Sequence, residues 1–208
     1  MTKYRRVLAF ILDTLLVSLV TIMLATNPKV NKNYYQEEEY NKLLVEKQSS
    51  LTVDYNDPDH AVDKMYDEVG QVLYDSTKVQ VYSLIIFMIV NTLYFVVFVF
   101  FNDGKTLGCA LFKFKIVKKN NKKANLLNLS MRSLFMGSSF IYRFPLSTIF
   151  LIVLPRLLDV KAAFLPLIYI NGILLMFEIA LLIVFIVNKK GMTIQDYLSN
   201  TKIIDTKK

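Results

Sequence analysis

Tryptophan is absent from the 208 residues, and cysteine and histidine occur once each, as Cys109 and His60. A single thiol makes no internal disulfide. A single imidazole leaves no serine–histidine–aspartate triad and no His/Cys metal cluster to assemble, and it falls in a different loop from Cys109. Glycine is also scarce, with six residues, and Gly104, Lys105 and Thr106 lack the preceding glycine spacing of a phosphate-binding loop. These shortages argue against an enzyme, and neither a cofactor nor a metal is expected.

What is abundant is apolar residue, 54% of the chain, gathered into long blocks rather than interleaved with polar positions. Each block approaches the roughly 20 residues that cross a hydrocarbon layer about 30 Å thick. Four spans are predicted, over 7–26, 79–101, 134–155 and 166–187. The third contains Arg143 and Pro145, which leaves open a broken or tilted helix there. Asp13 interrupts the first block and further spans follow it, so that block reads as an uncleaved anchor. The expected class is an all-α polytopic membrane protein with the lipid bilayer as its main partner.

Lysine and arginine set the orientation, because basic flanks stay on the cytoplasmic side. Lys3, Arg5 and Arg6 precede the first span without an acid. Seven lysines and Arg132 separate spans two and three against Asp103 alone, whereas the connection over 27–78 carries six lysines against eleven acids. The first region and the connection between spans two and three therefore belong inside, and the acidic insertion outside. The tail, with five lysines and two acids, is inside as well, so both termini are expected in the cytoplasm of a cell membrane. The net charge of +8 thus sits beside the spans, which argues for anionic headgroups and against nucleic acid.

Residues 34–48 contain neither Gly nor Pro and favour a helix, which makes the outer insertion a small helical cap. Inside, a repeat is visible. The segment from Gly104 to Val117 aligns without gaps on that from Gly191 to Ile204, with five of fourteen positions identical: Gly104/Gly191, Thr106/Thr193, Leu111/Leu198, Lys115/Lys202 and Ile116/Ile203. Each copy predicts a glycine ending a span, a threonine capping a short amphipathic helix, and an extended tail. Two such units suggest a duplicated helix hairpin.

Chemistry is then confined to polar groups inside the spans. At 1.5 Å per residue, Asp13 lies about 9 Å from the cytoplasmic side, and Asn91, Arg143 and Glu178 roughly 13–15 Å. These four are expected to converge as one polar layer, with Arg143 neutralising Glu178 or Asp13. Arg6 shares a helical face with Asp13 across small Ala9 and is placed to pair with Asp196. Two readings of the layer remain open: mutual partners that fix helix register, or carboxylates at Asp13 and Glu178 that bind protons and monovalent cations.

Arg6, Ala9 and Asp13, the Gly104-to-Gly108 segment ending in Lys115 and Val117, Arg132, and the closing Thr193, Asp196 and Thr201 resemble the RDD family of bacterial membrane proteins. The resemblance marks Arg6, Asp13 and Asp196 as the family's key positions. It departs at Gln195, where the family often has histidine, at Cys109, where a basic residue is common, and in the long outer insertion. It implies a membrane domain over the whole of 1–208 and, since a few members look like sodium/proton antiporters, raises transport. The alternative is a non-transporting scaffold that binds a partner through the outer segment or the cytoplasmic motifs, or a lipid-dependent organiser. Four helices make a thin bundle, so a homo-oligomer is also compatible with the sequence.

Overall fold

The computed structural model describes residues 3–50, 63–64, 66–135, 145–158 and 192–206, with isolated positions between 169 and 183. Arg143 and Glu178, and most of the fourth predicted span, lie outside these residues. Two described helices are long and apolar enough to cross a membrane: α1, Lys3–Ala25, and α4, Val81–Phe101. At 1.5 Å per residue they reach about 30 Å, the thickness of the hydrocarbon layer. The described part of the third predicted span is a shorter helix, α7, Pro145–Leu157.

The chain forms two compact units, Met1–Ile22 with Phe87–Leu146 and Leu174–Lys208, and Met23–Ile86 with Ser147–Ile173. The second holds helix α2, Tyr34–Ser50, and helix α3, Gln71–Val79. Asn31 is fully buried in that unit and fastens the chain after α1: its amide donates to the Ala25 carbonyl at 3.0 Å and to Ser83 Oγ at 3.1 Å. Ser83 in turn donates to Glu37 at 2.6 Å, which holds the start of α2.

The first unit carries both copies of the repeat, and they fold alike. Helix α5, Leu107–Leu111, and helix α8, Ile194–Leu198, occupy equivalent positions and start at equivalent threonines, whose hydroxyls accept from the backbone N–H three residues on. Each helix is followed by a residue in left-handed backbone, Lys113 and Asn200, with φ of 59° and 53°. The extended tails then become β1, Phe114–Lys118, and β2, Thr201–Asp205, which pair antiparallel. An all-α expectation omitted this ribbon, because a tail read alone has no visible partner. The register sets Ile116 opposite Ile203, its own counterpart in the alignment, and Lys115–Ile204 mirrors Val117–Lys202. A local pseudo-two-fold axis therefore passes between the two isoleucines, as it would after duplication and divergence.

Ile116 packs with Val96 and Val99 of α4, with Ala124, and with Leu129 of helix α6, Leu126–Leu134, so the ribbon is seated on the end of α4. Gly104 makes the join. Its N–H donates to Val99 at 2.8 Å, its carbonyl accepts from Ile116 at 2.7 Å, and its φ is +79°. A Cβ here would lie 2.1 Å from the Ile116 carbonyl oxygen. Gly104→Ala is therefore expected to cost about 3 kcal/mol or more, combining an unfavourable φ with backbone overlap. The check is the thermal midpoint of the purified variant, which should fall by many degrees or leave no monodisperse protein.

Candidate functional site

Two buried aspartates organise the first unit, one for each copy of the repeat. Arg6, Ala9 and Asp13 share a face of α1, as spacings of three and four require, and that face is turned inward. Ala9 is 2% exposed and Asp13 is 3% exposed. The face is covered by the N-terminus of α5. A Cβ on Gly108 would approach the Ala9 carbonyl oxygen to 2.4 Å and Asp13 Oδ2 to 2.9 Å, so glycine at 108 is what allows this approach.

The carboxylate of Asp13 gathers three donors. Tyr94 Oη donates to Oδ1 at 2.6 Å, the Gly108 N–H donates to Oδ1 at 2.8 Å, and Thr106 Oγ1 donates to Oδ2 at 2.5 Å. Both hydroxyl oxygens are themselves occupied, Tyr94 Oη by the Leu107 N–H at 3.1 Å and Thr106 Oγ1 by the Cys109 N–H at 2.9 Å. Their hydrogens are therefore directed at Asp13, a pattern that suits an acceptor-only, ionised carboxylate. None of these donors is charged, and no cationic side chain pairs with Asp13 among the described residues. Asn91 is buried on α4 but is not one of its partners.

Asp196 stands in the opposite electrical situation. It is fully buried at the third position of α8 and closes a capping box with Thr193, whose N–H donates to Oδ2 at 2.8 Å. Arg6 donates to Oδ2 at 2.6 Å and to Thr193 Oγ1 at 3.2 Å. Arg132, 5% exposed at the end of α6, donates to Oδ1 and to Thr201 Oγ1, the latter at 3.1 Å. Burial pushes the carboxyl of Asp196 up, but the Arg132 and Arg6 guanidiniums and the Thr193 N–H together hold it well below the usual aspartate range.

The structure thus brings Arg6, Arg132, Thr193, Asp196 and Thr201 into one cluster, and Asp13, Thr106 and Gly108 into another. It does not join Asp13 to Asn91 as a layer among the described residues. Gln195, at the position where histidine is common, donates to the Phe135 carbonyl at 2.5 Å and so closes the end of α6. Cys109 occupies the place in α5 that Asp196 has in α8. It is 5% exposed, and burial pushes its thiol up, away from a reactive thiolate.

Tyr94 is the residue that sequence reasoning missed. It sits in a wider π-helical turn of α4, Leu93–Phe98, where its ring stacks on Phe98 and its hydroxyl is the polar handle. The available signal was a tyrosine deep in a span, where a hydroxyl needs a partner.

A family model, described as the RDD family, matches residues 3–200. No curated protein and no solved structure is significantly similar to the chain.

Proposed function

The chain belongs to the RDD family, and from that premise we propose that it is a multi-pass cell-membrane protein, with both termini inside, that exchanges protons for a monovalent cation at Asp13. One observation carries the reading: Asp13 is buried on a helix long and apolar enough to cross a membrane, and its partners are all neutral donors. An acid so placed keeps its charge without a counter-ion, and a proton or a cation supplies what is missing. Asp196, held between two arginines, has no such need and acts as structure.

The geometry also suggests a consequence of occupancy. Oδ1 already accepts two hydrogens and Oδ2 only that of Thr106, so a proton or cation is taken up at the remaining lone pair of Oδ2, beside the Thr106 hydroxyl. Thr106 is also the cap of α5, so neutralising the carboxylate weakens a hydrogen bond that ties α1 to that helix. Asp13, Tyr94 and Thr106 together offer the hard oxygen atoms that a monovalent cation prefers.

A second reading has its own support. Because all three donors to Asp13 come from the chain itself, the carboxylate also works as a clasp, and a non-enzymatic scaffold would need nothing more. Such a protein would meet its partner, or a second copy, through exposed positions such as Tyr35 and Val45 of α2. Everted vesicles separate the two readings. Addition of sodium, potassium or lithium is expected to produce a pH change inside vesicles carrying the native chain and none in empty membranes. Absence of flux on both sides of neutral pH, with insertion verified, would leave the scaffold.

A further inference from the structure

The ribbon is continued by a turn of unusual composition: Lys118, Lys119, Asn120, Asn121, Lys122 and Lys123. The fold closes it tightly. The Asn121 N–H donates to the Lys118 carbonyl at 2.9 Å, the Lys118 N–H to the Lys122 carbonyl at 2.9 Å, and Asn121 adopts a φ of 65°. Four ammonium groups are thereby gathered on a six-residue loop. Among the described residues only Lys123 of these four reaches an acid, Asp103 at 3.3 Å, while Lys119 lies over the Tyr197 ring. Lys115 and Lys202, equivalent in the repeat, lie diagonally on one face of the ribbon behind the turn, about 7–8 Å apart. Lys115, Lys118, Lys122 and Lys202 have no acidic partner among the described residues.

Immediately after the turn comes α6, whose inner side carries buried Leu129, Arg132 and Ser133. Its outer side carries Leu126, Leu127 and Met131, exposed by 47%, 66% and 45%. A concentrated, uncompensated positive loop abutting an exposed apolar helix face matches two layers of one partner, an anionic headgroup region above acyl chains. Nucleic acid would use the lysines and leave the leucines without a role. In the same unit Lys123 lies over the ring of Phe100, in the last turn of α4, which places this loop at the end of a helix long and apolar enough to cross a membrane.

We propose that the turn over 118–123 and the outer face of α6 form a binding site for anionic phospholipid, the lysines taking the headgroup phosphate and Leu126, Leu127 and Met131 the upper acyl chain. This site is independent of ion exchange at Asp13.

The test is native mass spectrometry of the full chain in neutral detergent with added phosphatidylglycerol or phosphatidylcholine. Preferential retention of phosphatidylglycerol is expected, with apparent affinity falling about fivefold for each lysine removed in Lys118→Gln and Lys122→Gln. Lys42→Gln and Lys47→Gln, in the outer helix, should leave it unchanged, and Leu127→Ser should weaken both lipids alike. Equal retention of the two lipids, or unchanged preference in the double Lys118/Lys122 variant, would overturn the proposal. Competition by inorganic phosphate would reassign the site to a free anion, and competition by an RNA oligonucleotide to nucleic acid; either result sinks the lipid site.

Discussion

Asp196→Ala is expected to destabilise the chain by about 3–5 kcal/mol, the largest effect of any single side-chain deletion here, because it strands two buried arginines. Arg6 and Arg132 both point their guanidiniums at this carboxylate, and their side chains are only 11% and 6% exposed. Removing the acid also opens the capping box at Thr193 and leaves the shared Arg132 nitrogen with Thr201 as its acceptor. Thermal unfolding in detergent, with and without the substitution, reads the cost. A midpoint change of less than a few degrees would show that the cluster does not hold the fold.

The pH dependence of that difference is fixed in sign. A folded carboxyl held below its unfolded value contributes stability that is fully present above the unfolded pKa, here 3.8, and is lost as pH falls through the folded value. Between neutral pH and about 4, the gap between native chain and Asp196→Ala should therefore stay constant. Only in stronger acid should it narrow. A gap that closes between pH 7 and 5 would mean that the arginines do not hold Asp196 as described.

The second large effect belongs to Asp13. Asp13→Ala leaves the hydroxyls of Tyr94 and Thr106 and the N–H of Gly108 buried without an acceptor, and is expected to cost about 3 kcal/mol or more. Tyr94→Phe removes one of these donors and should cost about 1.5–3 kcal/mol, the range of a hydrogen bond to a charged group. The two are in direct contact, so the double variant should lose less than the sum, by about 1–3 kcal/mol. Strict additivity would contradict the contact. Because Tyr94→Phe keeps the carboxylate, it also separates loss of packing from loss of the ionisable group.

How much of this was legible in the sequence depends on the range of the interaction. Helices α1 and α4 announce themselves as unbroken apolar runs, and Arg6, Ala9 and Asp13 fall on one face by arithmetic alone. The capping threonines were readable too, since a cap acts within three residues. Two extended tails were visible, but their pairing joins segments far apart in the chain, and register cannot be inferred from either strand alone. The layer of Asp13, Asn91, Arg143 and Glu178 came from depth only. Depth gives height along a helix but not direction around it, and around α4 it is Tyr94 whose hydroxyl reaches Asp13. Arg132 was legible as a motif residue. Its partnership with Asp196 was not, because nothing local distinguishes a basic residue near a span from one buried against an acid.

The duplication ties these observations together. Equivalent helices, caps and strands surround two acids supplied from different places, Asp13 from α1 and Asp196 from within α8. Both fix the N-terminus of their short helix, but the arginines compensate only the second among the described residues. The two halves thus differ in charge: one pairs its acid with two arginines, and the other holds its acid with neutral donors among the described residues.

Infrared difference spectroscopy of the full chain in lipid nanodiscs tests that assignment most directly, by following the carboxylic C=O stretch as sodium, potassium or lithium is added at constant pH. At a pH low enough to load Asp13 with a proton, the account predicts that one of these cations removes a protonated-carboxyl band, that a proton appears in the medium, and that both changes vanish in Asp13→Asn while persisting in Asp196→Asn protein that remains folded. A band that no cation alters, or one that survives in folded Asp13→Asn, would contradict exchange at Asp13 and leave the carboxylate as a clasp.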